Sequence, residues 1–241
     1  MVSKPLIVVI CLDEEGVSEI INDRLYTVLA RKDEVLKATS LSEARRHLTS
    51  TIRPHAVIVA DDAVTYPRNR EVLLRLVEYA KAGGTVVYAG TFSSSVRHQD
   101  LDSMFKDVWG LPWRAFSFAT TTHTVNPRVQ GLNPNGLVKR YVVDANHIDH
   151  VALEDAVYLP SSVVKKLRKG GHQSAGQTYR TPAAFATVGR GRVGYIGDVD
   201  GDDDTTRLVI AMCFWPGSRA PVPPGDGVAE VVSILMSMQG L

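Results

Sequence analysis

Cysteine is scarce here, with only Cys11 and Cys213 in 241 residues. Two thiols cannot lay out a disulfide framework. Each sits in an apolar run, where cysteine acts as a small buried hydrophobe. Long apolar runs are missing too. Leu6-Ile7-Val8-Val9-Ile10-Cys11 is followed at once by the charges of Asp13-Glu14-Glu15, which is too short for a signal core. No run approaches the ~20 residues that cross a bilayer. Charge of one sign is also absent: 27 Lys and Arg face 26 Asp and Glu, a formal net charge of +1. This excludes the global imbalance of a dedicated nucleic-acid binder. Two chemical signatures fail as well. Gly90-Thr91-Phe92-Ser93-Ser94 is not a G-x-S-x-G nucleophile elbow, and Gly189-Arg190-Gly191 lacks the Lys-Ser/Thr of a phosphate loop. The expectation is a cytoplasmic protein with no cofactor, no resident metal, no membrane segment and no nucleic-acid partner.

What is present is an alternation. Leu6 to Cys11 is a β-rich apolar run suited to a strand covered on both faces. Ser18 can cap a helix carrying Ile20, Ile21, Leu25, Val28 and Leu29 on one side. Glu34 to Thr39 reads as a second strand, and Ser40 or Ser42 caps a second helix that Pro54 ends. His55 to Ala60 is a third strand, closed by Asp61-Asp62. A helix from about Asn69 to Ala82 is terminated by Gly83-Gly84. The strand Thr85-Val86-Val87-Tyr88 follows, with a small-residue exit through Gly90 to Ser95. Strand–helix units at this spacing imply parallel strands joined by right-handed crossovers, with helices on both faces. In such sheets ligands sit at the carboxyl ends of strands, so Gly90 to Ser95 is the expected site.

After Ser95 the pattern changes. Leu101 to Trp109 reads as a short helix, with Trp109 and Trp113 flanking a turn. Ala115 to Val125, Val138 to His147 and Ala156 to Leu159 are β-rich. Ser161 to Gly171 carries Lys165, Lys166, Arg168 and Lys169, with Lys165 to Gly171 read as a basic loop, and Gly170 to Gly176 reads as mobile. Ala183 to Val188 and Arg192 to Gly197 form a hairpin around Gly189-Arg190-Gly191. Asp203 or Asp204 caps a helix to about Phe214, and Val228 to Met238 is a last amphipathic helix.

Two segments carry a resemblance. They are Tyr79-Ala80-Lys81-Ala82-Gly83-Gly84-Thr85-Val86-Val87 and Gly189-Arg190-Gly191-Arg192-Val193-Gly194-Tyr195-Ile196-Gly197-Asp198. In this order, around a variable insert, they resemble the class I glutamine amidotransferase-like superfamily. The likeness is to its non-glutaminase branches, the trimerisation-type domain of β-galactosidases and the trehalose-utilisation-type proteins. The resemblance implies a flavodoxin-like, doubly wound, mainly parallel α/β sheet. It implies one domain over 1–241 with a β-rich insert at about 109–181. Active members place a cysteine between glycines after the central strand and a His-Pro-Glu segment after the late strand. Here those places read Gly90-Thr91-Phe92-Ser93 and Gly197-Asp198-Val199-Asp200-Gly201. With thiolate and imidazole both missing, glutaminase chemistry is excluded.

The remaining candidates each have a plain alternative. Thr91 and Ser93 are hydroxyls where a nucleophile would stand, but hydroxyls at turns commonly bond the backbone. His123 or His147 could face the sheet's carboxyl edge as a base, against the plainer reading of packing histidines. His147 and His150 on a strand would point to opposite faces, a poor arrangement for chelation. Asp198 and Asp200 start an acidic run that fails a calcium loop, since the sixth position is Asp203 and the closing position is Val209. Helix capping is the simpler role. Gly90, Phe92, Asp198 and Asp200 are the expected binding residues around a strand-end crevice. The functional expectation is a catalytically inactive domain for binding or assembly. It would bind an unknown small molecule or protein, or form a homo-oligomer through the C-terminal helix. The alternative is a hydrolase or amidase with a non-cysteine nucleophile or a metal.

Overall fold

Five-residue and four-residue runs of branched apolar side chains form the centre of the molecule because both their faces are covered. The computed structural model describes residues 5–13, 25–31, 34–170 and 176–217. Strands β1 (Leu6–Ile10), β3 (Ala56–Val59) and β4 (Thr85–Tyr88) are buried almost throughout. They join β2 (Glu34–Ala38), β10 (Gly191–Ile196) and β9 (Ala183–Val188) in a six-stranded sheet of order β2-β1-β3-β4-β10-β9. Every pairing is parallel except the β9–β10 hairpin. Alternate residues serve opposite faces. Val8, Val57, Val86 and Val193 enter one apolar cluster, while Ile7, Ile58, Val87 and Ile196 enter the other. Helices α1 (Leu41–Thr49) and α2 (Arg70–Lys81) cover the first face through Leu48, Leu73 and Leu76. The helical stretch 25–31 contributes Leu29 to the second face. This is a flavodoxin-like, doubly wound α/β fold.

The two segments that carry the family resemblance touch each other. Gly83 and Gly84 end α2, and the β9–β10 turn packs onto them. Arg190 N–H donates to the Lys81 carbonyl at 3.1 Å and Arg192 N–H to the Gly84 carbonyl at 3.0 Å. A Cβ on Gly191 would lie 2.0 Å from the Gly84 oxygen, so only glycine permits this approach.

Beyond β4 the short helix α3 (Phe92–Ser95) leads to α4 (His98–Ser103), which widens into a π-helical turn over Met104–Trp109. Gly110, at φ 70°, closes that turn. The indole N–H of Trp109 donates to the Tyr88 hydroxyl at 3.0 Å, and Phe105 lies 4.9 Å from Trp113, centre to centre. Trp109 and Trp113 thus fill the core beneath the second sheet. That antiparallel sheet runs β7 (Tyr158–Pro160), β5 (Arg114–Val125), β6 (Arg140–Ala152), β8 (Thr178–Thr181).

Several sequence expectations are corrected. The basic stretch after Pro160 is not a loop but helix α5 (Ser161–Arg168), which buries Val164 and Leu167 and turns Lys165, Lys166 and Arg168 to solvent. Three cations in four residues hid a helical apolar stripe of only two positions. Strand β6 continues five residues past His147, and β8 lies where a glycine-flanked loop ends. The last described helix, α6 (Asp203–Cys213), is capped by Asp202, whose carboxylate accepts from Thr205 N–H at 2.7 Å. The expected segments 18–24, 171–175 and 228–238 lie outside the described residues. No described helix is long and apolar enough to cross a membrane.

Candidate functional site

The elbow after β4 is built by backbone needs. Gly90 adopts φ 66°, a conformation that glycine enters without a Cβ clash. Thr91 follows, and both its N–H and its hydroxyl donate to the Ala60 carbonyl, at 2.9 and 3.0 Å. Ser93 Oγ donates toward the Gly197 and Asp198 carbonyls at 3.1 and 3.3 Å. Thr91 and Ser93 are 6% and 3% exposed. Among the described residues no imidazole hydrogen-bonds either hydroxyl. Phe92 is fully buried, its ring 4.6 Å from that of Tyr88, so it is a core side chain with no surface to offer a ligand.

Strand β6 lies across this elbow. Asn146 Nδ2 donates to the Ser93 carbonyl at 2.8 Å, and Asn146 N–H to the Gly197 carbonyl at 2.8 Å. The Tyr195 hydroxyl donates to the Asn146 carbonyl at 2.9 Å. Ala145 bridges Asp198 in antiparallel fashion. Asp198 is 4% exposed, and its carboxylate accepts from the N–H groups of Asp200 and Gly201 at 3.2 and 2.9 Å. Asp200 is exposed beside it. Partial desolvation and then the charges of Asp198, Asp144 and Asp202 raise its carboxyl above the usual range. A carboxylate that organises a turn and another at the surface make a capping loop ahead of α6. The described residues hold no group of three His, Cys, Asp or Glu placed to share a metal ion.

At the other end of the sheet edge, a hollow of about 530 Å³ lies between Leu12, Thr39, Ser42 and Arg68. It sits where the chain order reverses, between β1 and β3, a common ligand position. The N-terminus of α1 beneath it is already satisfied. Ser40 Oγ, at the N-cap, accepts from Glu43 N–H at 3.3 Å, and the Glu43 carboxylate accepts from the N–H of Thr39, one residue ahead of the cap, at 2.8 Å.

His123 and His147 are brought together, away from the elbow hydroxyls. Residues 121 and 123 of β5 share a face by the period of two, and His147 of β6 reaches them. The two rings are 5.3 Å apart at their centres. His147 Nδ1 lies 3.1 Å from the Ala145 carbonyl, which can only accept, so this nitrogen carries the proton. Nε2 then accepts from the Thr121 hydroxyl, at 3.1 Å. Burial lowers the pKa of His147. Burial and then the charge of His147 push His123 down to about 4. His123 is 6% exposed, and its Nδ1 has no hydrogen-bond partner. Both face a groove of about 470 Å³, walled by Phe116, Ala119 and Pro160 and edged by Ser117, Ser161 and Arg180. Arg180 stacks 3.7 Å above the Phe116 ring centre and donates to the Asp149 carboxylate at 3.0 Å. Burial works against the Asp149 charge, but the bonds from Arg180 and His150 N–H outweigh it and hold the carboxyl below its usual range.

Thr121, Ser117, Phe116 and Arg180 were not singled out from the sequence. The usable signal was the Thr120-Thr121-Thr122-His123 run. Its odd positions share the face of a long strand.

The chain's class is therefore a flavodoxin-like α/β fold with an antiparallel sheet laid over the carboxyl end of its central strands. No protein-family model matches the sequence, and no curated protein matches it. Solved structures do share its fold. It resembles a ThuA-like protein from Bacteroides uniformis, with a TM-score of 0.56 and 10% identity, over 88% of this chain and 91% of that one. A ThuA-like protein from Parabacteroides merdae gives 0.54 and 9%, over 89% and 90%. The β-galactosidase from Bacillus circulans gives 0.54 and 12%, over 90% of this chain but only 32% of that chain. The match thus takes in about a third of that enzyme. At such identities the likeness is one of fold.

Proposed function

We propose that the chain is an amidotransferase-like domain that works by binding or assembly, without catalysis at the strand-end elbow. One observation carries this reading. Both elbow hydroxyls, Thr91 and Ser93, donate to backbone carbonyls while β6 is hydrogen-bonded across them. A nucleophile needs a base within reach, and among the described residues no imidazole hydrogen-bonds either elbow hydroxyl. We treat residues 1–241 as one such domain with the second sheet as its insert, and we place it in the cytoplasm on its composition. A homo-oligomer through the segment Val228–Met238 belongs to the same reading. Light scattering of the full chain tests that part, and a monomer at micromolar concentration counts against assembly. The catalytic part is tested by release of ammonia from glutamine and by hydrolysis of activated esters. The expected result is no turnover that Thr91→Val or Ser93→Ala abolishes.

A second reading has its own observation. Thr121 and His147 form a hydroxyl–imidazole pair beside an open groove, the arrangement a hydrolase with a non-cysteine nucleophile requires. Ester turnover abolished by Thr121→Val but unaffected by Ser93→Ala would select this reading over the first.

A further inference from the structure

Among the described residues the histidine groove offers no free charge of either sign. Arg180 is the one cation those residues place on its edge. Its guanidinium is committed twice, to the Asp149 carboxylate and to the face of Phe116. Among the described residues no carboxylate lines the groove. The two imidazoles lie too close together, and too far from water, for both to carry charge. An anionic ligand would find no unpaired cation there, and a cationic ligand no anion.

The groove does offer directed hydrogen bonding. The Thr121 hydroxyl gives its proton to His147 and keeps its lone pairs for an incoming donor. His123 Nδ1 is enclosed and unpartnered. Next to these stand the Phe116 ring, Ala119 and Pro160, an apolar wall. The volume of about 470 Å³ suits a small molecule. We propose that this groove is a binding site for a neutral small molecule that carries a hydroxyl on an apolar body. The hydroxyl meets Thr121, and the body lies against Phe116. The inference rests on reading the chain as a binding domain, and it adds the ligand's chemistry.

The test is a matched set of probes added to the full chain at pH 7.5: naphthylmethanol, naphthoate and naphthylmethylammonium. They share one body and differ in charge. Ligand-observed NMR and titration against the His ring protons read the dissociation constants. The expected result is that the alcohol binds at least about tenfold more tightly than either charged probe, because an unpaired charge pays its full desolvation in the groove. Thr121→Val should weaken the alcohol by about threefold to tenfold, the value of one net hydrogen bond. Phe116→Ala, on a rim residue 41% exposed, provides a second variant with little demand on folding, and a similar loss is expected. Equal or tighter binding of a charged probe, or no binding by any of the three, overturns the proposal. Either failure leaves the inert elbow untouched, since that reading falls only to turnover dependent on Thr91 or Ser93.

Discussion

Acidification should destabilise this protein through His123, and the size of the effect can be worked out. A free imidazole titrates near 6.5, whereas burial and then the charge of His147 hold His123 at about 4. The folded state therefore refuses a proton that the unfolded chain accepts. Stability from the neutral ring is fully present above about 6.5. It is lost as pH falls from there toward 4, where the loss levels off. At pH 5 the unfolded ring is almost fully charged and the folded ring about one-tenth charged, a linkage cost of at most about 2 kcal/mol. For a chain of this size that is on the order of 4–8 °C in Tm. Many carboxylates also change charge over this range, so the assay must be a difference. Urea unfolding of the native chain and of His123→Phe is measured at pH 7.5 and pH 5. The variant lacks the titrating group, so the native chain should lose about 2 kcal/mol relative to it on acidification. The groups facing the ring are His147 and Tyr141 on β6 and, at the groove edge, the Arg180–Asp149 pair, and all are retained in the variant. A difference that moves by less than about 0.5 kcal/mol would refute the argument, and the ring would then be hydrated or partnered in solution.

Three further outcomes follow from packing and capping. Gly197→Ala places a Cβ 2.0 Å from the Asn146 carbonyl and 3.1 Å from that of Pro182, backbone atoms with little freedom to yield. It should cost about 1–3 kcal/mol or more and speed amide exchange over 91–95, read by urea unfolding and hydrogen exchange. Trp113→Ala empties a fully buried site beside Phe105 and should cost about 3–5 kcal/mol by urea unfolding, where a ligand-facing tryptophan would cost little. Asp202→Ala removes the N-cap of α6 and should lower stability by about 1 kcal/mol in the same measurement.

The parallel sheet was legible because its signals are local. Runs such as Ala56-Val57-Ile58-Val59 are apolar on both faces, and Gly83-Gly84 and Gly189-Arg190-Gly191 punctuate them. The strand Thr178–Thr181 was not legible, since Thr-Tyr-Arg-Thr carries one buried aromatic and no long alternation. The helix Ser161–Arg168 was masked by its own solvent face. The candidate site divides the same way. The absence of cysteine and histidine at the elbow is a property of the string. The meeting of Thr121, His123 and His147 depends on pairing β5 with β6, a long-range register with a bulge between Ala115 and Phe118. No local pattern encodes that register.

The closing of the elbow and the opening of the groove share one cause. Successive residues of a strand point to opposite sides. On β6, Asn146 reaches the Ser93 carbonyl at the elbow while its neighbour His147 reaches Thr121 in the groove. A one-residue slip of this strand would exchange the two, placing an imidazole over the elbow hydroxyls and an amide in the groove. The register is fixed from the elbow side, where Asn146 N–H, the Tyr195 hydroxyl and the missing Cβ of Gly197 all engage the Asn146 backbone. The contact that covers the elbow is therefore also what holds His147 beside His123. In this fold a covered strand-end elbow and an open groove in the overlying sheet are two consequences of a single strand placement.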